Sequence, residues 1–533
     1  MKRILDPKVI EQIKKSAAGK HWEKIGIYDH HGFCVPLFSL HSKDSCGIGE
    51  FYDLIPLIEW AKQVGFDIIQ LLPLNDSGAD ASPYNGISAH ALNPIYISIH
   101  KLPNKEKVPF FNDLIKKMQA WNKTVRLNYS KIKTLKIEFL KQYFSLVMHE
   151  FATDLHYANF KNKFKTWLKP YALFRYFKEL YEWTEWRFWP EKFKNPSNFQ
   201  KLLTDYEDKY EFYIFLQYLC FQQLSSVKKI AEKNKIFLKG DIPFSISKDS
   251  VDAWYFRSLF NSNASLGTPP NKHNTKGQNW GFPLYEWKSM AQDDFLWWRE
   301  RLYYYESFYH MYRVDHIGGF FRAWSIIKHD NHLTGIFLPE KRVDQLKQGK
   351  RLLHMLLDSS TLLPIGEDIG EVVFEEMKII LSSMGICGTK IIRWERNWKT
   401  DQSFIDPKSY PLLSMTNISS HDSETLQLWW RHAAAEATSF CKIKNWTYNR
   451  FLSYPYHMAI LQDSHRSGSI LHINLLQDYL ALDPSFVSPM SCRERINQPG
   501  TVAFTNWSYR VIPSVEEFAD ATYLNKAVKT ALS

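Results

Sequence analysis

The chain has 533 residues, 45% of them hydrophobic and 23% charged, which is the balance of a globular protein with a substantial core and excludes a disordered one. Its six cysteines (34, 46, 220, 387, 441 and 492) form no CxxC pair, which argues against metal clusters and a dense disulfide framework and for reduced thiols. The net charge of +11 permits a nucleic-acid partner, but segments such as 161–169 space Lys like a solvated helix face and no nucleic-acid module is recognisable, so none is expected. The start, Met-Lys-Arg-Ile-Leu-Asp, has no apolar signal core, and no apolar run approaches the roughly 20 residues that span a bilayer; a soluble cytoplasmic protein without a membrane partner is the expectation.

In chain order, residues 1–32 read as a helical N-terminal lead closing in the polar turn Tyr28-Asp29-His30-His31-Gly32, and Phe33 to Leu40 as a first buried strand. A helix with apolar Phe51, Leu54, Ile55, Ile58 and Ala61 follows, stopped by Gly65, and then a strand over 68–72. That is a β-α-β unit, and its unalternating apolar strands suit a parallel sheet covered on both faces; 33–100 is read as the first part of a barrel. Residues 101–235 are Lys-rich and aromatic with helical periodicity, and are predicted to be a helical insertion subdomain. The barrel pattern resumes at 236–241 and continues to 533, with a loop insertion rich in Asn, Gly and Pro around 261–283 that could wall a cleft, a helix near 290–311, and strand-like runs at 311–316, 362–367, 388–395, 413–420 and 470–475. The predicted fold is α/β, a (β/α)8 barrel with helical and loop insertions.

Three of these runs end in groups that can act together. Tyr312–His316 delivers Arg313, Asp315 and His316, Leu362–Asp368 delivers Glu367 and Asp368, and Met415–Asp422 delivers His421 and Asp422. Asp315 and Glu367 are 52 residues apart and Glu367 and Asp422 are 55, room for one or two strand–helix units between each pair. In a β/α barrel such groups project from the C-terminal ends of different strands onto one face. Two carboxylates across a glycosidic bond cleave it, one as nucleophile and the other as acid and base. The 16% of aromatic residues suits stacking on pyranose rings, though most of them are expected to fill the core.

Ten motifs, in order, resemble the amylomaltases, the 4-α-glucanotransferases of glycoside hydrolase family 77. They are Ser-Cys-Gly-Ile-Gly-Glu-Phe (45–51), Gln-Leu-Leu-Pro-Leu-Asn (70–75), Ser-Pro-Tyr-Asn (82–85), Lys-Gly-Asp-Ile-Pro (239–243), Gly-Thr-Pro-Pro (267–270), Gly-Gln-Asn-Trp-Gly-Phe-Pro-Leu-Tyr (277–285), Tyr-Arg-Val-Asp-His (312–316), Gly-Glu-Asp-Ile-Gly (366–370), Ser-His-Asp (420–422) and Arg-Ile-Asn-Gln-Pro-Gly-Thr (495–501). They cover roughly 35–100 and 236–510, and some are also similar to the plant-type disproportionating enzyme that transfers glucose onto heteroglycans.

The resemblance implies Asp315 as nucleophile, Glu367 as acid and base and Asp422 as the third carboxylate. It implies Tyr84, Asp241, Trp280, Arg313, His316, Asp368, His421 and Asn497 as substrate-binding groups, and α-1,4-glucans and maltooligosaccharides as substrates, transferred with retention to the 4-hydroxyl of another glucan. The period of two along a strand places Arg313 beside Asp315, where it could hold the carboxylate ionised. Departures are Asn271, where the family usually has an acidic residue, and Ser420, where it has Thr. They bear on acceptor-side detail and product size and leave the three carboxylates in place. No catalytic metal or cofactor is expected, because the His/Asp pairs lack zinc-site spacing and no Walker, dinucleotide or Gly-x-Ser-x-Gly pattern occurs. An α-glucan hydrolase, which would use the same carboxylates, is the alternative, and a non-catalytic glycan binder, expected to lack Asp315 or Glu367, is a further one.

Overall fold

The computed structural model describes residues 3–270, 275–327 and 335–533, so Asn271 and the first two residues lie outside the described part. Eight strands form the central sheet: β1 (His30–Val35), β2 (Ile68–Leu71), β3 (Phe237–Ile242), β4 (Met311–Val314), β5 (Leu363–Gly366), β6 (Gly388–Ile391), β7 (Ser414–Asn417) and β8 (Leu471–Leu475). They pair in parallel in the order β5-β4-β3-β2-β1-β8-β7-β6. A parallel bridge between Ile365 and Cys387, with the Gly366 N–H donating to the Cys387 carbonyl at 2.8 Å, joins the two outer strands. The sheet is a (β/α)8 barrel with its strands in sequence order around the ring. Every residue of β2, β5, β7 and β8 is buried, as in strands covered on both faces; β2 and β5 read as near-continuous apolar runs, whereas β7 (Ser-Met-Thr-Asn) and β8 (Leu-His-Ile-Asn-Leu) also bury polar residues.

β1 begins at His30, upstream of the apolar run, because its polar residues find partners. The buried His30 ring is 3.0 Å from the Asp67 carboxylate through Nδ1 and 3.0 Å from the Gly26 carbonyl through Nε2. The helix Leu54–Val64 ends at Gly65, whose φ of 101° is the left-handed conformation that terminates a helix readily only with glycine.

Between β2 and β3 the chain is helical, with Tyr129–Phe151, Lys165–Leu180 and Glu207–Lys233 the longest members. Buried polar contacts fasten these helices to the barrel loops: Lys136 Nζ lies 2.5 Å from Glu50, Arg175 and Tyr171 both donate to Asp76, and the Gln217 and Gln223 amides each make a reciprocal pair with the backbone of Leu92 and Ser98. The stretch read as a loop insertion is more ordered than its Gly and Pro content suggests. Ala264–Thr268 and Gln278–Asn279 pair antiparallel with each other, and Ala264–Thr268 pairs also with Ala323–Ile327, which in turn pairs with Gly335–Leu338. These strands are short and contributed by two distant segments, so local periodicity does not reveal them.

Candidate active site

The C-terminal ends of β3, β4, β5 and β7 meet around one cleft. Arg313 on β4 is the central tie: its Nη1 is 2.7 Å from Asp315 Oδ1 and 3.0 and 3.1 Å from the two oxygens of Asp241 on β3. The register that pairs Asp241 with Arg313 makes this possible, and the two-residue period puts Asp315 on the same side. The Tyr84 hydroxyl donates to Asp241 Oδ2 at 2.7 Å, and its ring stacks on His421 at 5.2 Å and 13°.

Just past β4, His316 takes a left-handed conformation with φ of 48°, uncommon for a residue with a side chain. That turn points its backbone N–H at Glu367 Oε2, 3.0 Å away, so the acid following β5 is held by the residue next to Asp315. The His316 ring meets the edge of Trp280 at 5.0 Å and 83°, and Trp280 is carried by the small antiparallel sheet through its backbone N–H to the Leu266 carbonyl. Past β7, Asp422 accepts from the Asn497 amide at 2.7 Å and lies 3.3 Å from His421 Nε2.

These contacts give the three carboxyl groups different proton affinities. Burial pushes Glu367 up to about 8; Arg313 opposes the shift and the Asp315 carboxylate adds to it. Burial also raises Asp315, against the pull of the Arg313 guanidinium in direct contact with it. With that cation at 2.7 Å, Asp315 gives up its proton before Glu367 does. Burial acts on Asp422 as well, but His421, the Asn497 amide and Arg313 outweigh it and hold this carboxyl well below the usual range. Burial lowers His316 to about 4, so its ring is neutral at pH 7, and its buried Nε2 has no partner among the described residues.

Of the site residues read from the sequence, Tyr84, Asp241, Trp280, Arg313, Asp315, His316, Glu367, His421, Asp422 and Asn497 converge here. Asp368 does not. Next to the inward Glu367 it turns outward, where its carboxylate accepts the Thr389 N–H at 2.6 Å and packs so closely on Gly388 that a Cβ there would sit 2.5 Å from Oδ2. Its contact braces the β5–β6 seam, and burial raises it to about 6.

The cleft has a cavity volume of about 100 Å³ and is lined by Arg313, Glu367, His421 and Asp422 together with Gln70, which opens the 70–75 motif, and residues that the motifs did not single out, among them Trp394, Asn417 and Ser419. Gln70 carried a legible signal, being an amide in the otherwise apolar strand β2, whereas Asn417, in Ser414-Met415-Thr416-Asn417, did not. Trp507, whose ring lies 5.5 Å from Tyr84, carried none. Around the mouth, Glu424 accepts from Arg393 and Arg495, both at 2.8 Å, clamping the segments that follow β6 and β7 to the segment bearing Asn497. No group of three or more His, Cys, Asp or Glu among the described residues is placed to hold a metal ion.

The family model for glycoside hydrolase 77, described as 4-alpha-glucanotransferase, matches residues 35–514. A 4-alpha-glucanotransferase of Chlamydia caviae is 46% identical over 511 residues, 96% of each chain, and one of Chlamydia pneumoniae is 44% identical over 526 residues, 98% of this chain and 99% of that one. This chain belongs to the 4-alpha-glucanotransferase family. Its fold is also that of an amylomaltase from Streptococcus agalactiae solved in complex with acarbose, with a TM-score of 0.79 at 22% identity, covering 95% of this chain and 99% of that one. The family match includes all three carboxylates and spans the helices between β2 and β3 as well as the barrel.

Proposed function

We propose that this chain is a 4-α-glucanotransferase that moves a segment of an α-1,4-glucan to the 4-hydroxyl of another glucan or of glucose, with retention, using Asp315 as nucleophile, Glu367 as acid and base, and Asp422 to hold sugar hydroxyls. The observation that carries this reading is the convergence of three carboxyl groups on one rim, Asp315 on the Arg313 guanidinium, Glu367 on the His316 backbone N–H and Asp422 on the Asn497 amide, in a chain of this family. At neutral pH a Glu367 raised to about 8 still holds its proton and can give it to the departing glycosidic oxygen. Asp315, relieved of its proton first, attacks the anomeric carbon to form a glycosyl ester. Glu367, now ionised, takes the proton from the incoming hydroxyl, which attacks the same carbon and releases Asp315. Two inversions give retention.

Asp422, held ionised, can accept hydrogen bonds from ring hydroxyls as positive charge builds on the sugar, and the free Nε2 of His316 can bond another. Tyr84 and Trp280 offer ring faces for stacking. Transfer in place of hydrolysis requires an acceptor sugar held in attacking position, an advantage in effective concentration over water.

The test is a product profile from maltotriose alone. A ladder of shorter and longer maltooligosaccharides with a constant number of reducing ends is expected. Rising reducing ends would make the protein a hydrolase, and no change in either would refute the assignment.

A further inference from the structure

The helix Lys165–Leu180 ends at a cost. Glu182 and Trp183 both take the left-handed conformation, with φ of 47° and 64°, whereas Leu54–Val64 stops on a single glycine. Two successive residues with side chains in that region are strained, and such strain persists only where the surroundings hold it. Lys178 supplies the hold: its buried ammonium donates to the carbonyls of Trp183 and Thr184, each at 3.0 Å, and lies 2.6 Å from Asp249. The turn so fixed delivers the half-buried Trp183 ring to the loop that follows β2. There it meets Gly78, whose φ of 60° favours glycine, so closely that a Cβ at that position would lie 2.4 Å from Trp183 Cζ3.

Two cations lie over the same ring, Lys133 Nζ at 3.8 Å and the Arg175 guanidinium at 4.4 Å. Each of them also grips the loop, Lys133 by donating to the Gly78 carbonyl and Arg175 by donating to the Asp76 carboxylate at 3.2 Å. From this anchor the loop runs to the catalytic rim. Ser77 Oγ donates to the Asp80 carbonyl at 2.7 Å, and the Asp80 carboxylate accepts from the Ser82 N–H at 2.9 Å and the Asn85 amide at 2.7 Å, shaping the short turn in which Tyr84 sits. The bonds of Asp80 are exposed and compete with water, so the clamp at the base of the loop decides where the loop lies. Tyr84 then reaches Asp241, and Asp241 shares Arg313 with Asp315.

We propose that Trp183 is a positioning residue for the transfer reaction: held by Lys133 and Arg175 and seated on Gly78, it sets the loop 76–85 so that the Tyr84 hydroxyl meets Asp241. The helices between β2 and β3 thereby take part in the reaction through this loop, and the strain at Glu182 and Trp183 is what puts the ring in place. A supporting shell of this kind matters because a displacement of about 1 Å in a group at the reaction centre is enough to slow the reaction.

The inference rests on the glycosyl-transfer reading above and on the place it gives Tyr84. The experiment is a double-mutant cycle on maltotriose disproportionation with Trp183→Leu, Tyr84→Phe and the two combined, each checked for native circular dichroism. Trp183→Leu should lower kcat/KM about tenfold while the Tyr84 hydroxyl is present and less than about twofold in Tyr84→Phe, because a hydroxyl already removed cannot be misplaced. Trp183→Phe, which keeps a ring over Gly78, should restore most of the loss. Lys133→Met, which takes a cation from the ring and a donor from the Gly78 carbonyl but leaves Trp183 in place, should show the same dependence on Tyr84 with a smaller loss, and it carries the test if Trp183→Leu does not fold. A loss that is equal with and without the Tyr84 hydroxyl, the mark of a merely structural role, or no loss at all, would overturn the positioning role while leaving the transferase reading intact. A Tyr84→Phe variant that transfers at the wild-type rate would remove Tyr84 from the site and the inference with it, and a wild-type protein that does not disproportionate maltotriose would overturn both readings.

Discussion

At the scale of single residues, Glu367 shows how function opposes stability. In the unfolded chain its carboxyl ionises near the ordinary glutamate value of about 4.3, and in the folded protein at about 8. Between those values the native state holds a proton that the unfolded state has released, so stability declines as pH rises through the window. Glu367→Gln removes this dependence. Thermal unfolding of the variant should therefore occur above that of wild type, by a margin that grows from about pH 5 to about pH 8; a margin independent of pH would contradict the raised acid. Asp422, held low, works in the opposite sense, its contribution being present above the ordinary aspartate value and lost as acid protonates it. The sequence made the identity of these groups legible, since Arg313, Asp315, Glu367, His421 and Asp422 sit at strand ends in ordered motifs. It did not reveal which way Asp368 turns, because adjacent residues at a strand end differ in face by a register that only the sheet fixes.

At the scale of elements, the helices between β2 and β3 are fastened by buried charges. Lys136, in the middle of Tyr129–Phe151, and Glu50, before Phe51–Asp53, are both 0% exposed in their side chains, and the remaining Glu50 oxygen is within 3.4 Å of His100. Removing one partner of such a pair leaves the other charge stranded in a low dielectric. Lys136→Met is expected to cost about 3–5 kcal/mol in denaturant unfolding; a loss below about 1 kcal/mol would mean that Glu50 is satisfied without the lysine. Here the sequence was less informative. Glu50 belongs to a quoted motif, yet nothing local couples it to a lysine 86 positions on. The small sheet carrying Trp280 was hidden for the same reason, its strands being two to five residues long and joined across the chain.

At the scale of the whole molecule, the barrel was the most legible feature, because strands covered on both faces, such as β2 and β5, leave near-continuous apolar runs and sequential parallel pairing leaves one topology. What that topology accomplishes is to bring residues from β3, β4, β5 and β7, separated by up to 181 positions from Asp241 to Asp422, onto one rim. The central claim is that this rim performs a two-step displacement through an ester on Asp315. Intact-protein mass after incubating Glu367→Gln with α-glucosyl fluoride tests it most directly, since fluoride departs without an acid while breakdown of the ester lacks its base. A gain of one hexosyl unit, mapped to the peptide containing Asp315 and abolished by Asp315→Asn, is the predicted result; no gain, or an adduct on another side chain, would contradict the account.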